Sequence, residues 1–240
     1  MTVSNRFIFD VDGTLTPSRG NMDPEFAAFF FDFCTLNKVY IVTGSDKPKT
    51  VEQIGNVLYG MVKRAYNCNG NDVWEGGIQV RSNDWTLPDD AHEWLAEHLT
   101  ASAFSLRTGR HFEHRPGMIN FSVVGRNATS KQRKDYVAYD EYTDERVYIA
   151  HNFNLLFPDL QATVGGETGI DIYPKGNDKS QIVADFDPDN DILHFFGDRM
   201  DRAGNDYPLK KVLIDNDLGM CYNVNNYKET WKILRDEFSI

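Results

Sequence analysis

Cysteine is scarce, with three in 240 residues, and Cys34, Cys68 and Cys221 are too widely spaced and odd in number for a disulfide framework. They are read as reduced thiols of a cytoplasmic protein, none of them needed for catalysis. Long apolar runs are also missing, well short of the ~18 consecutive residues of a membrane-spanning helix. The opening MTVSNR lacks the charged-then-apolar layout of a secretory signal, so the NAT tripeptide at 127–129 reads as a chance match to a glycosylation acceptor. Positive charge is in deficit: 25 Lys and Arg face 36 Asp and Glu, for a formal charge of −11, which excludes a general binder of nucleic acid. Repeats and low-complexity tracts are absent, and the acidic DFDPDND stretch at 185–191 reads as a turn-rich connection. Against these absences stand 41% hydrophobic and 13% aromatic residues, enough for one substantial core and a smaller second one.

The apolar run FIF at 7–9, with Val11, reads as a strand buried on both faces that ends in a Gly-Thr turn. Side chains along a strand repeat with a period of two, so Asp10 and Asp12 leave its carboxyl edge in the same direction and converge on one point. In open α/β sheets ligands bind at that edge. The pair suits phosphoryl transfer, with Asp10 as the nucleophile that accepts the phosphoryl group and Asp12 as general acid and base for the leaving and incoming oxygens. By itself DVDGT also fits a calcium-type loop or a polar turn; three further segments decide the reading. VYIV at 39–42 is a second buried strand, ending in Thr43, Gly44 and Ser45 before a helix over about 48–58; hydroxyls and backbone N–H groups at that junction form a phosphate cradle. Lys179 supplies a fixed positive charge for the nucleophile and the transferring oxygens. ILHFF at 192–196 is a third buried strand that delivers Asp198 to the same edge, where hard oxygen ligands suit Mg²⁺. Asp206, after Gly204 and Asn205, completes the metal's surroundings.

The four segments and their order resemble the haloacid dehalogenase superfamily of phosphotransferases. That resemblance implies an α/β fold with a Rossmann-like core and parallel sheet, an aspartyl-phosphate intermediate, and Mg²⁺ held by Asp10, the backbone carbonyl of Asp12, and Asp198. More than a hundred residues separate the second and third motifs, too many for a loop in a compact domain. An inserted cap is therefore expected at 81–174, within a core of 1–80 and 175–240. Its first helix is expected to start at Pro88, with Ala91, Trp94, Leu95 and Leu99 near helical spacing. Ile119, Phe121 and Val123 then alternate with Asn120 and Ser122 over 118–125, and Ile170 and Ile172 with Gly169 and Asp171. Those patterns predict an α+β cap whose antiparallel sheet has one apolar and one polar face.

Arg115, Arg126 and Arg133 stand out in so acidic a chain, and the planar fork of arginine suits phosphate oxygens. The string RPGMINFSVVGRNATSKQR around them resembles the cap signature of the eukaryotic-type phosphomannomutases: Arg-x-Gly-Met-x-Asn, then Gly-Arg, then an arginine seven positions on. In that family the three arginines hold substrate phosphate. The resemblance extends over nearly the whole chain, through DVDGTLTPSR, where Arg19 matches a core arginine, GGETGIDIYPKGNDK, and FFGDRMDRAGND. It implies a phosphohexomutase that interconverts mannose 6-phosphate and mannose 1-phosphate, and glucose phosphates, primed by a hexose 1,6-bisphosphate. It also implies phosphate or sugar contacts from Arg19, Thr43, Gly44, Ser45, Arg115, Asn120, Arg126, Arg133, Asp171 and Asn205, and a homodimer paired through the caps. Two positions depart from the family pattern. Gly169 stands where the family has a serine, which bears on sugar preference, and Thr43 replaces the family's usual glycine, as in the sugar-phosphate phosphatases of the wider superfamily. A Mg²⁺-dependent sugar phosphatase on the same scaffold is the alternative reading. A catalytically retired sugar-phosphate sensor is a third, and the presence of Asp10, Asp12, Lys179 and Asp198 speaks against it. HFEH at 111–114 reads as strand rather than a zinc-binding helix. Phe29, Phe30, Phe31 and Phe33 after Asp23-Pro24 mark a capped, largely buried helix rather than a cofactor box.

Overall fold

A computed structural model of the chain describes residues 4–202 and 204–238. It divides into two compact units, Met1–Asn83 with Asn177–Ile240, and Asp84–Gly176. In chain order the first unit contributes β1 (Ser4–Phe9), α1 (Pro24–Leu36), β2 (Lys38–Val42), α2 (Lys47–Met61), β3 (Arg64–Asn67), β4 (Asp72–Glu75) and β5 (Ile78–Ser82). The second holds α3 (Asp89–Ala101), β6 (Phe112–Arg115), β7 (Met118–Phe121), α4 (Ser130–Thr143), α5 (Glu145–Leu156), β8 (Leu160–Gly165) and β9 (Gly169–Pro174). The chain then returns to the first with β10 (Asp191–Gly197), α6 (Tyr207–Asp215), β11 (Gly219–Asn223) and α7 (Tyr227–Glu237). The change of unit falls at Asn83 rather than residue 80 because β5 carries the first sheet on through Ser82.

The first sheet has the order β11-β10-β1-β2-β3-β4-β5, parallel from β11 to β3 and antiparallel in its last two strands. Both faces are covered, which is why its strands read as unbroken apolar runs. Phe7 and Phe9 pack with Phe26, Phe30 and Phe33 of α1, Leu58 of α2 and Leu234 of α7. Ile8 points the other way, into a cluster with Tyr40, Val42 and Phe195 and with Leu209 and Leu213 of α6. Helix α1 starts where the Asp23 carboxylate accepts from the N–H groups of Glu25 and Phe26, at 3.0 and 3.1 Å, with Pro24 preset for the first turn. Of its phenylalanines, Phe30 and Phe33 are fully buried and Phe29 partly so, whereas Phe31 falls on the solvent side at 40% exposure, so the expectation of a largely buried run fails there.

In the second unit the sheet order is β6-β7-β9-β8, antiparallel throughout. Ile119, Phe121, Ile170 and Ile172 face a core with Leu95 of α3, Tyr136 of α4 and Phe153 of α5. The registers Glu113↔Asn120, Asn120↔Asp171 and Thr163↔Asp171 place those four residues in one rung. Neighbours in a rung share a face, so this is the polar one. Two boundaries differ from expectation. Helix α3 begins at Asp89 with Pro88 as its N-cap, not its first residue. Strand β7 stops at Phe121 because the chain turns after Ser122, where the Gly125 N–H donates back to the Ser122 carbonyl at 3.2 Å, although the Ser122 N–H still meets the His111 carbonyl and Val123 stays buried. Among the described residues no helix is long and apolar enough to cross a membrane.

Candidate active site

Three strand ends supply one edge of the first sheet. The Asp10 N–H extends the ladder of β1 by donating to the Phe196 carbonyl at 2.9 Å, the Thr43 N–H does the same for β2 at Tyr66, also 2.9 Å, and Asp198 follows β10 directly. Asp206 arrives just ahead of α6, and one carboxylate oxygen from each of Asp10, Asp198 and Asp206 lies within 4.8 Å of the other two. Lys179, fully buried, donates to Oδ1 of Asp10 at 2.5 Å and to Oδ1 of Asp206 at 2.7 Å. It reaches that point because Asp178 caps the tight 3-10 turn Lys179–Asp185, accepting from the Ser180 N–H at 2.8 Å. The second oxygen of Asp206 accepts from the Arg199 N–H at 3.0 Å, which ties it across its loop.

Burial acts most strongly on Asp10 and lifts its carboxyl well above the ordinary range, with Lys179 opposing and Asp206 and Asp198 adding to the rise. Asp198 is pushed up to about 6, by burial first and the Asp206 charge second. Burial works against the Lys179 charge, but Asp10 and Asp206 outweigh it and keep the ammonium protonated. Three carboxylates against one ammonium leave a surplus of negative charge, and three hard oxygen donors so close together fit a divalent cation such as Mg²⁺. Gly13 is needed beside them: its φ is +78°, and a Cβ there would stand 2.3 Å from Oδ2 of Asp198.

The Asp12 carboxylate does not join that group. Its Oδ1 accepts from the Arg19 N–H at 2.5 Å and from Nε2 of Gln53 at 2.9 Å, which orients it separately from Asp10. Arg19 lies at the left-handed φ of 57°. Gln53, buried on α2, also reaches the Thr16 hydroxyl at 3.2 Å. Gln53 has one signal in the sequence, a polar residue beside Ile54 on the inward side of α2. In the Thr43-Gly44-Ser45 turn the Thr43 hydroxyl accepts from the Ser45 N–H at 3.1 Å, and the carbonyls of Thr43 and Ser45 are braced by the N–H groups of Asn69 and Cys68 at 2.8 and 2.9 Å. Asn205 sits between Gly204 and Asp206 in the turn before α6.

The remaining expected site residues all belong to the second unit. Oε1 of Glu113 accepts from Nε and Nη2 of Arg115 at 3.1 and 3.0 Å, and its Oε2 pairs with Nε of Arg126. Nη1 of Arg126 donates to Oδ1 of Asn120 at 3.1 Å, and Nδ2 of Asn120 donates to Oδ1 of Asp171 at 2.7 Å. Arg133, on α4, donates from Nε and Nη2 to Oε2 of Glu167 at 3.3 and 3.1 Å. A Cβ on Gly169 would stand 2.5 Å from Nδ2 of Asn120, so the missing side chain makes room for the Asn120 amide. Glu113 and Glu167 were not singled out from the sequence. The signal for Glu113 is its place two residues before Arg115 on a strand, which puts both on one face.

Residues 26–240 match the family model for eukaryotic phosphomannomutase. A phosphomannomutase from Saccharomyces cerevisiae is 30% identical over 242 residues, covering 97% of this chain and 94% of its own, and one from Arabidopsis thaliana is 32% identical over 213 residues, covering 84% and 85%. In fold, the chain is similar to a haloacid dehalogenase-like hydrolase from Bacteroides thetaiotaomicron, with a TM-score of 0.55 at 12% identity over 87% of this chain and 85% of that one. A match over most of the length, on a sheet edge that gathers Asp10, Lys179, Asp198 and Asp206, makes this chain a member of the eukaryotic phosphomannomutase family.

Proposed function

We propose that this protein is a phosphohexomutase that interconverts mannose 6-phosphate and mannose 1-phosphate, with glucose phosphates as further substrates, through a phosphoryl group carried on Asp10. The observation that carries the reading is the buried chain of contacts from Asp10 through Lys179 to Asp206, beside Asp198, in a member of this family. When Asp10 is phosphorylated, a sugar hydroxyl oxygen attacks phosphorus while Asp12 takes its proton. The bond from phosphorus to the Asp10 oxygen breaks, and the carboxylate leaves with the electron pair to face Lys179. The product is a hexose bisphosphate. At its other phosphate the steps run in reverse: Asp10 attacks phosphorus, and Asp12 returns a proton to the departing sugar oxygen. A hexose 1,6-bisphosphate therefore primes the enzyme.

Bound Mg²⁺, held by Asp10, Asp198, Asp206 and the Asp12 carbonyl, would supply neutralisation of the phosphoryl oxygens. Arg19, Thr43, Gly44, Ser45 and Asn205 hold the phosphate in transfer. Arg115, Arg126 and Arg133, with Asn120 and Asp171, take the end of the sugar that is not reacting. In this reading Asp84–Gly176 serves as a substrate-binding cap, and the protein is a cytoplasmic homodimer paired through that unit. The test is incubation with Mg²⁺ and mannose 1-phosphate, with and without glucose 1,6-bisphosphate, followed by ³¹P NMR. Bisphosphate-dependent appearance of mannose 6-phosphate without inorganic phosphate is expected. Phosphate release with no isomer would make the protein a hydrolase.

A further inference from the structure

Arg115 and Arg126 carry like charges into a small space, and burial first, then Arg115 and Arg133, work against the charge of Arg126, with Glu113 opposing them. Side-chain exposures of 12% for Arg115 and 18% for Arg126 leave them little screened by water. The two stay together around one carboxylate: Glu113, itself 20% exposed, gives Oε1 to Arg115 and Oε2 to Arg126. Among the described residues no other carboxylate pairs with both. The backbone sets where that carboxylate stands, because Glu113 faces Asn120 across β6 and β7, and Asn120 faces Asp171 across β7 and β9. Arg126, coming from the turn after β7, is thereby held at Nε by Glu113 and at Nη1 by Asn120, which fixes the plane of its fork. Arg115 is held edge-on through Nε and Nη2.

The geometry points to Glu113 as the positioning residue of a phosphate clamp formed by Arg115 and Arg126. It draws the two guanidinium groups together by their Nε edges and aims them for the oxygens of a sugar phosphate. The inference rests on the reading of those arginines as the grip on the non-reacting phosphate. It is opposite in sign to a second role for the same carboxylate, as a stand-in that substrate phosphate must displace. A stand-in, once neutralised, would let phosphate bind more tightly; a positioning residue, once neutralised, loosens the clamp.

Glu113→Gln keeps the size of the side chain, removes its charge and leaves one accepting oxygen for two arginines. KM for mannose 1-phosphate should rise about tenfold, the loss expected for a charge-assisted hydrogen bond. Because the grip is the same in ground and transition states, kcat should stay within about twofold. Glu113→Asp, which retains the charge on a shorter stem, should fall between Glu113→Gln and wild type. If Glu113→Gln proves unfolded by its melting curve, Glu113→Asp carries the test, with KM raised over wild type. Calorimetric titration of each full-length protein with mannose 6-phosphate should show binding weakened in the same order. A KM and an affinity equal to wild type, or better than it, overturn the assignment. Arg126→Gln separates the two levels. If it leaves KM and affinity unchanged, the clamp reading itself fails; if it weakens both while the Glu113 variants do not, only the role of Glu113 fails.

Discussion

Lys179 has no route to solvent and two carboxylates to answer to. Deleting one partner of such a buried pair leaves uncompensated charge, at a cost of about 3–5 kcal/mol. Lys179→Met should lower the free energy of unfolding by about that amount in urea melts without Mg²⁺, and a loss under about 1 kcal/mol would mean the contacts are not made as described. Gly13 makes a sharper test of the metal site, because a Cβ there would run into the Asp198 carboxylate. Gly13→Ala should need about 10- to 100-fold more Mg²⁺ for half-maximal activity; an unchanged Mg²⁺ dependence would show that Asp198 is not a ligand. At this scale Asp10, Asp12, Lys179, Asp198, Arg115, Arg126 and Arg133 could be picked out of the sequence as candidates because each sits in a short local pattern. Gln53 and Glu113 could not. The contact of Gln53 with Asp12 comes from helix packing across 41 positions, and that of Glu113 with Arg126 from strand register and a turn.

The strands were readable because burial on both faces writes an unbroken apolar run, and β1, β2 and β10 stand where those runs predict. Element ends were harder, as β7 shows: its alternation continues through Val123, but the turn that brings the Gly125 N–H back to Ser122 ends the strand at Phe121. Within β10, His194 stacks on Phe7 with ring centroids 4.9 Å apart, between Asn5 and the Tyr222 hydroxyl. Burial holds its imidazole below the ordinary value. The folded form therefore stays neutral while the unfolded chain takes up a proton below about pH 6.5. That contribution to stability is present above about pH 6.5 and is lost as pH falls through it toward the folded value. Between about pH 7.5 and pH 5 the melting temperature should fall more steeply for wild type than for His194→Gln. Parallel slopes would rule out a neutral buried His194.

Over the whole molecule, the expectation of an inserted segment comes from the spacing of the second and third motifs, a stretch too long for a loop, and the chain divides into two compact units. A pairing of subunits belongs to the proposed function, and the second unit carries exposed apolar side chains that such a pairing would cover. Tyr148 and Leu155 on α5 are 62% and 70% exposed, and Tyr142 on α4 is 91% exposed, apolar surface that association would cover. Light scattering at micromolar protein should return twice the 27.5 kDa chain mass, and a monomer would count against pairing. In the proposed reaction phosphate passes through Asp10, and that route can be caught in the act. It is tested most directly by mixing the Mg²⁺-loaded protein with ³²P-labelled glucose 1,6-bisphosphate, quenching in acid and mapping the label by peptide. Label on the peptide that carries Asp10, transferable to mannose 6-phosphate and absent in Asp10→Asn, is the expected result. Label on another residue, or turnover in Asp10→Asn, would contradict a route through Asp10.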